Sequence, residues 1–462
     1  MELVPFSVIN EYLKQKLLHP SRYGSSKYSF LKVFQHGLYF HFTKQKQKII
    51  FNYLGLPLRI QRFIYWIKSK KTNGTSQRIQ LKEFLILDPG RVVQDEHQQW
   101  RSIYFDQIAQ LIGRDKITII NQREDSKVPG DFMLRDLSQV TSSLDPTEVE
   151  LLSEVNKALG SAKHSGQFTS DERRQIQSAM HIFFEEFRVY YNLLKGQPTK
   201  KILFICHYHN EGLIAAAKYL GIESIEFQHG LIASNDLYYV YHEQFASVIS
   251  KAFFPEKIMV YGPYWKRILE NGCEYHSYQI KVAGDYLYRL NKQTTDSIIK
   301  ENLIVVCAQK NMHDDYVTYV QQLMQHTAAY PDWKVVVKLH PLEKNKAAYY
   351  ALAQLGAEIR DIETPLDTLL KQCKIHISIY STTFYDALGF NVCNYSVQEF
   401  GSMSDYAADM IQEGVALPLF LHENPITKYH SGNNDSHSQV PRNDVYSSFD
   451  GPTLREAIGL DS

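Results

Sequence analysis

Three short polar motifs in the sequence contain residue types that can transfer a proton or bind an anion. Each motif directly follows an apolar segment that is typical of a buried β-strand. Ligands of α/β proteins bind at the carboxyl ends of parallel strands, so residues in these positions are candidates for one site. The motifs are Gln228-His229-Gly230, Lys338-Leu339-His340-Pro341 and Ser381-Thr382-Thr383.

The second and third motifs have the chemistry of a phosphate site. The His340 side chain can hold a phosphate oxygen beside the N-terminus of a helix that Pro341 can begin. The hydroxyls from Ser381 to Thr383 can donate to the same anion. The plainer alternatives are a strand-end histidine bonded to the backbone and a helix N-cap, where Ser and Thr are preferred. We expect both motifs to follow adjacent strands and to converge on one anion. Lys338 either adds charge there or is a solvated strand residue.

His229 is the candidate for a general base. A histidine whose pKa is near 6.5 can accept a proton at neutral pH, and a strand end would present it to a ligand. Gly230 permits either a tight turn or the close approach of a substrate. The alternative is a structural histidine in a tight turn.

A second histidine-containing segment, residues 206–212, follows another predicted strand. His207 and His209, together with Gln228 and Gly230, are predicted to shape an acceptor pocket. Two histidines in such a loop could alternatively bind a metal ion, but their spacing is poor evidence for a metal site, and we predict none. A plain loop is the remaining interpretation.

The elements that position these motifs alternate between strands and helices from about residue 200 onward, which predicts parallel sheets covered on both faces. A polar stretch at 291–300 divides the alternation into two blocks. The predicted fold class is therefore α/β, with two Rossmann-like domains that face each other across a cleft. The predicted boundaries are 1–290 for the N-terminal domain, 291–300 for the linker, 301–423 for the C-terminal domain, and 424–462 for a polar loop and a C-terminal helix.

Composition excludes several classes of protein. The 462 residues carry 50 Lys and Arg against 50 Asp and Glu and are 44% hydrophobic, which excludes a disordered chain and a uniformly basic nucleic-acid coat. The five scattered cysteines favour a reducing compartment over a zinc site or disulfides. We expect no membrane-spanning helix and no signal peptide. The motifs of dinucleotide dehydrogenases, P-loop NTPases, zincins and α/β-hydrolases do not occur.

Positive charge is concentrated at one end of the chain. Residues 12–82 contain no Asp or Glu, and residues 1–82 carry fifteen Lys and Arg against two Glu, a net charge of +13. Aromatic and aliphatic residues alternate with these charges, which is typical of segments that bind an anionic membrane surface or a polyanion. We predict that the segment 12–82 faces a membrane. The alternative is a basic face packed against the acidic remainder of the protein.

The ordered set of motifs at 228–230, 338–341 and 381–383 resembles bacterial GT-B glycosyltransferases that build capsule and lipopolysaccharide. Related enzymes are the Kdo and sialic acid transferases, which use CMP-sugars, and the CDP-glycerol glycerophosphotransferases of teichoic acid synthesis. The resemblance covers about residues 200–400. Gln228 stands where the teichoic acid enzymes usually have tryptophan, so the polysaccharide glycosyltransferases are more similar.

This resemblance implies roles for individual residues. His229 would be the base, and His340, Pro341 and the hydroxyls of 381–383 would hold the phosphates of the donor. Asp386, a few residues further on, would bind the donor ribose. The N-terminal domain would bind the acceptor, and the C-terminal domain would bind the nucleotide-sugar donor.

The predicted function is that of a metal-independent glycosyltransferase. It would move a sugar from a nucleotide-activated donor, preferably a CMP-sugar, to a growing surface polysaccharide or lipid-linked glycan. It would need no cofactor besides the donor, bind no nucleic acid, and work in the cytoplasm at the inner face of the cytoplasmic membrane. The alternatives are a CDP-glycerol-type polyol-phosphate transferase, a sugar-nucleotide 2-epimerase, and a non-catalytic glycan- or partner-binding module.

Overall fold

Strands rich in Ile, Leu and Val form two parallel sheets in the part of the chain that the computed structural model describes. The first strand shows why both faces of such a sheet must be covered, because all five of its side chains are buried. The described residues are 80–94, 97–123, 126–128, 130–133, 186–234, 239–240, 254–272, 275–286, 299–309, 312–341, 343, 345–361, 363–388, 390–400, 407–431 and 440–460.

Within these residues the first sheet has seven parallel strands. When only the strands of this sheet are numbered along the chain, from one to seven, their order across the sheet is 3-2-1-4-5-6-7. The first six places repeat the strand order of the Rossmann fold. An antiparallel pair, β2 and β3, stands apart from this sheet. The strands are β1 Phe84–Asp88, β2 Val92–Gln94, β3 Trp100–Ser102, β4 Ile117–Asn121, β5 Phe132–Met133, β6 Lys201–Phe204, β7 Glu223–Phe227, β8 Lys257–Val260 and β9 Ile280–Val282.

The second sheet has six parallel strands in the described part of the chain, and their order is 3-2-1-4-5-6. This sheet is therefore also Rossmann-like. Its strands are β10 Glu301–Cys307, β11 Lys334–Lys338, β12 Glu358–Arg360, β13 Cys373–Ser378, β14 Cys393–Val397 and β15 Leu417–Leu419.

Helices cover both faces of each sheet, and alternate strand residues pack against opposite layers. In β1, for example, Phe84 and Ile86 belong to one core cluster, and Leu85 and Leu87 belong to the other. The helices are α1 Asp106–Ile112, α2 Glu211–Leu220, α3 Pro263–Glu270, α4 His313–Thr327, α5 Lys346–Tyr350, α6 Leu366–Gln372, α7 Thr383–Asp386, α8 Ala408–Gln412, α9 Pro425–His430, α10 Arg442–Val445 and α11 Gly451–Ala457. Residues 186–194 are also helical.

The C-terminal segment, residues 440–460, returns to the first domain. The Trp265 indole N–H in α3 donates to the backbone oxygen of Val445 at 2.9 Å. At Gly262 a Cβ atom would lie 2.2 Å from the Asp444 backbone oxygen, so the close approach of the two segments requires glycine there. The core of the first domain therefore includes side chains from the end of the chain, among them Leu454 and Ile458.

The predicted fold class, α/β with two Rossmann-like domains, is confirmed by the strand order of the two sheets. The predicted polar loop after residue 424 is wrong in part, because α9 packs on the second domain through Ile426 and α10 packs on the first. The predicted C-terminal helix is present at Gly451–Ala457. β14 and β15 were not predicted.

Several predictions fall on residues outside those that the structure describes. The basic segment 12–82 lies there except for its last three residues, and so does most of the linker 291–300. The first sheet ends at Val282 and the second begins at Glu301, on either side of that linker. In the described part of the chain, no helix combines the length and the apolar character needed to cross a membrane.

Candidate active site

Turns at the carboxyl edge of the first sheet bring polar side chains together. The chain leaves β1 through a turn that leads to Arg91. After β6, Cys206 adopts a left-handed conformation with φ of 58°, which is uncommon for a residue with a side chain and is often found at functional sites. This residue directs the chain into the 3-10 turn His207–His209. After β7, the chain continues directly to His229.

A buried carboxylate, Glu226 near the end of β7, lies at the centre of this edge. It accepts hydrogen bonds from His207 Nδ1 at 2.8 Å, from the His207 backbone N–H at 3.1 Å and from the Tyr239 hydroxyl at 2.6 Å. Burial alone would raise the pKa of Glu226, but the pull of His207 and these hydrogen bonds outweigh it and hold the pKa below its usual value. The glutamate is therefore ionised at neutral pH and fixes the position of the His207 turn.

His229 is half-buried at the same edge, and its imidazole is weakly held. Its Nε2 lies 3.4 Å from the Tyr208 hydroxyl, and its Nδ1 has no hydrogen-bond partner among the described residues. Burial, and next the positive charge of Arg91, lower the pKa of His229 to about 4, although Glu226 partly opposes them. The ring is therefore neutral at pH 7, but it is a weaker base than the sequence predicted.

Arg91 and Tyr104 form a second layer beside this histidine. The Arg91 guanidinium donates to the Tyr104 hydroxyl at 2.9 Å, and that hydroxyl donates to the backbone oxygen of His229 at 3.2 Å. The guanidinium carbon lies 5.9 Å from the centre of the Tyr104 ring. A permanent positive charge is thus built into the edge of the sheet next to the candidate base.

The four residues predicted to shape an acceptor pocket differ in how far a ligand can reach them. Gln228 and His207 are fully buried, so neither can touch an acceptor directly. The Gln228 amide instead binds the Tyr261 backbone N–H at 3.0 Å and the Gly230 backbone oxygen at 2.8 Å, which fixes the turn. A Cβ at Gly230 would meet no described atom within 4 Å, so open space lies beside it. His209 is half-buried at the end of the 3-10 turn.

At the carboxyl edge of the second sheet, Thr383 faces inward. His376 in β13 contacts Asn394 Oδ1 through Nδ1 at 2.8 Å and Thr383 Oγ1 through Nε2 at 3.1 Å. The Asn394 amide nitrogen donates to two backbone oxygens, so its oxygen is the acceptor for His376 Nδ1–H. Nε2 then accepts the Thr383 hydroxyl proton, and this hydroxyl is not a donor for a phosphate, contrary to the prediction.

The neighbouring hydroxyls are better placed. The Ser381 hydroxyl oxygen accepts the Thr383 backbone N–H at 3.2 Å, which leaves its own proton for another acceptor. The Thr382 hydroxyl makes no hydrogen bond with the described residues, and both side chains are half-buried. Ser381 and Thr382 can therefore donate to an anion at this edge.

The His340 motif differs from its prediction in two respects. Its strand, β11, is not adjacent to β13, because β10 lies between them. Two strand spacings put the two motifs about 10 Å apart on the same edge of the sheet. Pro341 also begins no helix, since the Glu343 backbone N–H closes a turn onto the His340 oxygen at 2.9 Å and α5 begins only at Lys346. His340 thus lacks an adjacent helix N-terminus, although it remains half-exposed at the correct edge.

Lys338 and Asp386 have structural partners. The buried Lys338 ammonium donates to the Asp361 backbone oxygen at 2.8 Å, so it neither adds charge to the phosphate site nor faces solvent. Asp386 accepts a hydrogen bond from the Tyr446 hydroxyl at 2.9 Å and thereby ties α7 to the returning C-terminal segment. A contact between Asp386 and the donor ribose stays a prediction.

The carboxyl edges of the two sheets face each other. In α3, which follows β8, the Tyr264 hydroxyl lies 2.8 Å from the Tyr385 hydroxyl in α7, which follows β13. The same Tyr264 hydroxyl donates to Glu413 at 2.6 Å. The backbone N–H and hydroxyl of Ser234, five residues after His229, both donate to Asp409 at 2.6 Å. The candidate base and the hydroxyl motif therefore belong to opposed edges.

The sequence did not single out Arg91, Tyr208 or the role of Glu226. Arg91 follows the turn Asp88-Pro89-Gly90 at the end of β1, so the strand-end rule that identified His229 could have found it. The contacts of Glu226 depend on two other segments of the chain and leave no local signal. Among the described residues, no group of three or more His, Cys, Asp and Glu side chains could hold a metal ion.

No protein-family model and no curated protein sequence matches this chain. Among solved structures, it is similar to the glycotransferase of kitacinnamycin (TM-score 0.47, 11% identity, 83% of this chain and 99% of that one). It is also similar to a putative UDP-N-acetylglucosamine 2-epimerase from Listeria monocytogenes (0.47, 13%, 82% and 95%) and to the spinosyn rhamnosyltransferase SpnG (0.47, 9%, 82% and 100%). The fold class follows from the strand order of the two sheets, independently of these likenesses.

Proposed function

We propose that the protein is a glycosyltransferase that uses a nucleotide-activated sugar. The observation that supports this most directly is the opposition of two Rossmann-like carboxyl edges with different chemistry. One edge carries a neutral, weakly held histidine, His229. The other carries the hydroxyls of Ser381 and Thr382, which can donate to an anion. Such a pair of edges suits the transfer of a group from a phosphate leaving group to a hydroxyl.

In the proposed reaction, the acceptor hydroxyl oxygen forms a bond to the anomeric carbon of the sugar. His229 takes the hydroxyl proton, and the bond from that carbon to the donor phosphate breaks. The electron pair of the broken bond goes to the phosphate oxygen. Glu226 does not touch the substrate in this scheme, because it is buried and holds the His207 turn beneath the site.

The second domain would stabilise the departing phosphate. Ser381 and Thr382 would donate hydrogen bonds, and His340 would supply a further donor from the same edge of the sheet. Loss of one preorganised donor of this kind lowers kcat by about 10²–10³-fold in other enzymes. We propose that these donors act without a metal ion or a cofactor. A CMP-sugar is the preferred donor, because the motif order resembles the transferases that use one.

The proposed acceptor is a growing surface polysaccharide or a lipid-linked glycan. The support is the net charge of +13 over residues 1–82. Each Lys or Arg near an anionic leaflet contributes about 1 kcal/mol of binding. This charge would hold the enzyme at the inner face of the cytoplasmic membrane, where such acceptors are assembled.

Nucleotide binding provides the first test, with thermal shifts measured for CMP, CDP, UDP and GDP. A ligand at 100 times its Kd stabilises the protein by about 2.7 kcal/mol, which raises the melting temperature measurably. Thr382→Val should weaken binding about tenfold, because it removes a donor to a charged group. The matched control, Thr383→Val, should retain the affinity and lose stability instead, because its hydroxyl faces His376. A protein that none of the four nucleotides stabilises would contradict the proposal.

Product analysis separates the alternatives. With purified enzyme, donor and acceptor, a glycosyltransferase releases the nucleotide and leaves no donor phosphate in the polymer. A polyol-phosphate transferase would leave phosphate in the product. An epimerase would convert the donor without an acceptor, and a binding module would convert nothing.

A further inference from the structure

Arg91 has no counter-ion within the described part of the chain. One N–H of its guanidinium donates to the Tyr104 hydroxyl, and the described side chains that interact with its charge, Tyr104, Cys206, Tyr208 and His229, include no carboxylate. The nearest acid in sequence, Asp88, instead accepts hydrogen bonds from the Gly90 backbone and from Ser102. A positive charge that is partly removed from water normally has an anionic partner, because desolvating it alone is costly.

The guanidinium is nevertheless well oriented. The Tyr104 hydroxyl accepts from one of its nitrogens and donates to the backbone oxygen of His229, so Arg91 is held in position relative to the His229 backbone. A guanidinium has five N–H donors in a planar fork that matches the two oxygens of a carboxylate or phosphate. Arg91 is half-buried, and among the described residues only the Tyr104 hydroxyl accepts a hydrogen bond from its fork.

Arg91 also influences the candidate base. Its charge contributes to the low pKa of His229, next in importance to burial. Among the described residues, the other charged or titratable groups that act on that ring are Glu226, His207 and Tyr208. An anion bound at Arg91 would offset the positive charge, raise the pKa of His229, and make the ring a stronger base when substrate is present.

We propose that Arg91 binds an anionic group of the acceptor, a carboxylate or a phosphate, beside the hydroxyl that is to be glycosylated. The assignment to the acceptor rests on the proposed function, because Arg91 lies on the same domain as His229, opposite the edge assigned to the donor phosphates. The presence of an anion site at Arg91 does not depend on that function. The enzyme would therefore select acidic acceptors over neutral ones.

The test uses inorganic phosphate and glucuronate as anionic probes, and glucose as the neutral counterpart of glucuronate. Binding is measured by calorimetry, and the His229 ring is titrated by NMR, with His229→Gln used to assign its signals. Phosphate and glucuronate should bind and raise the pKa of His229, whereas glucose should do neither. Arg91→Gln should weaken anion binding at least about tenfold and abolish the anion-dependent change in the pKa.

Two further variants distinguish the loss of the Arg91 guanidinium from a general loss of folding. Arg91→Lys keeps the charge without the fork, so it should retain part of the affinity and most of the effect on His229. Arg114→Gln removes an arginine that precedes β4 at the opposite edge of the sheet and is paired with Asp131, and it should leave anion binding unchanged. Equal anion affinity in the wild-type protein and in Arg91→Gln would overturn the site.

A competition experiment then tests the assignment to the acceptor. CMP and glucuronate should bind at the same time, because the nucleotide phosphate belongs to the opposite edge. Displacement of glucuronate by CMP would overturn the assignment to the acceptor, since the anion would then be the donor phosphate. Transfer activity is not needed for any of these measurements, so a failure here is distinct from a failure of the proposed function.

Discussion

Each of the two sheets carries a histidine near its carboxyl edge, and the two rings differ in how their nitrogens are occupied. The pKa values of His229 and His376 are both lowered to about 4, and burial is the largest cause in each case. Both nitrogens of His376 have partners, Asn394 and Thr383, and the ring is fully buried. His229 is half-buried and has one long contact, to Tyr208. Burial alone therefore does not distinguish the two rings, whereas their hydrogen bonding and exposure do.

Replacing each histidine separately with asparagine is the most direct test of the difference between the two rings. His229→Asn should lower kcat/KM for transfer by about 10²–10⁴-fold, because the general base is lost. His376→Asn should leave kcat/KM nearly unchanged and lower the free energy of unfolding by about 1–3 kcal/mol for each buried group left unsatisfied. Urea unfolding and a donor-consumption assay measure the two effects. The reverse pattern would show that His376 is the functional ring.

The dependence of stability on pH sharpens the comparison. The pKa of His376 is 6.5 in the unfolded chain and about 4 in the folded protein. Between these values the unfolded state binds more protons, so stability falls as the pH drops from 6.5 to 4 and is flat above that range. The contribution of His376 to this fall should be about 3 kcal/mol. Urea unfolding between pH 7 and pH 4 should therefore show that the free energy of unfolding falls less steeply with decreasing pH in His376→Asn than in the wild-type protein. An equal fall in both proteins would contradict this prediction.

The smallest expected effect concerns the space next to His229. Gly230→Ala should change the free energy of unfolding by less than about 0.5 kcal/mol, because the added Cβ meets no described atom within 4 Å. It should raise the KM for the acceptor by about tenfold if the acceptor approaches this backbone.

Gly262→Ala is the contrasting variant. The added Cβ would lie 2.2 Å from the Asp444 backbone oxygen, so the free energy of unfolding of this variant should be clearly lower. An unchanged KM in Gly230→Ala would place the acceptor elsewhere along the edge.

Strands with an uninterrupted apolar run, such as β6, β10 and β11, were predictable from the sequence. β14 was not, because Asn394 and Ser396 interrupt its apolar pattern. Both are buried and satisfied by distant partners, the first by Phe384 and Val415 backbone oxygens and the second by that of Ile379. Long-range hydrogen bonds of this kind leave no periodicity in the local sequence.

The candidate site was predictable to a similar degree. The strand-end rule placed His229, His340 and Ser381 on the correct edges, because it depends only on local pattern. The rule could not predict which strands are adjacent in the sheet. β10 precedes β11 in the chain, yet it lies between β11 and β13. The direction of the Thr383 hydroxyl likewise depends on His376, whose position is fixed only by tertiary packing.

The return of the chain to its first domain has a consequence for biosynthesis. Val445, Leu454 and Ile458 are fully buried in the core of that domain, together with side chains from β1 and α3. The described strands of this domain begin at Phe84, so its core is not complete until residues beyond 450 have left the ribosome. Folding of the first domain therefore depends on contacts between segments that lie far apart in the chain, and such contacts form more slowly than local ones.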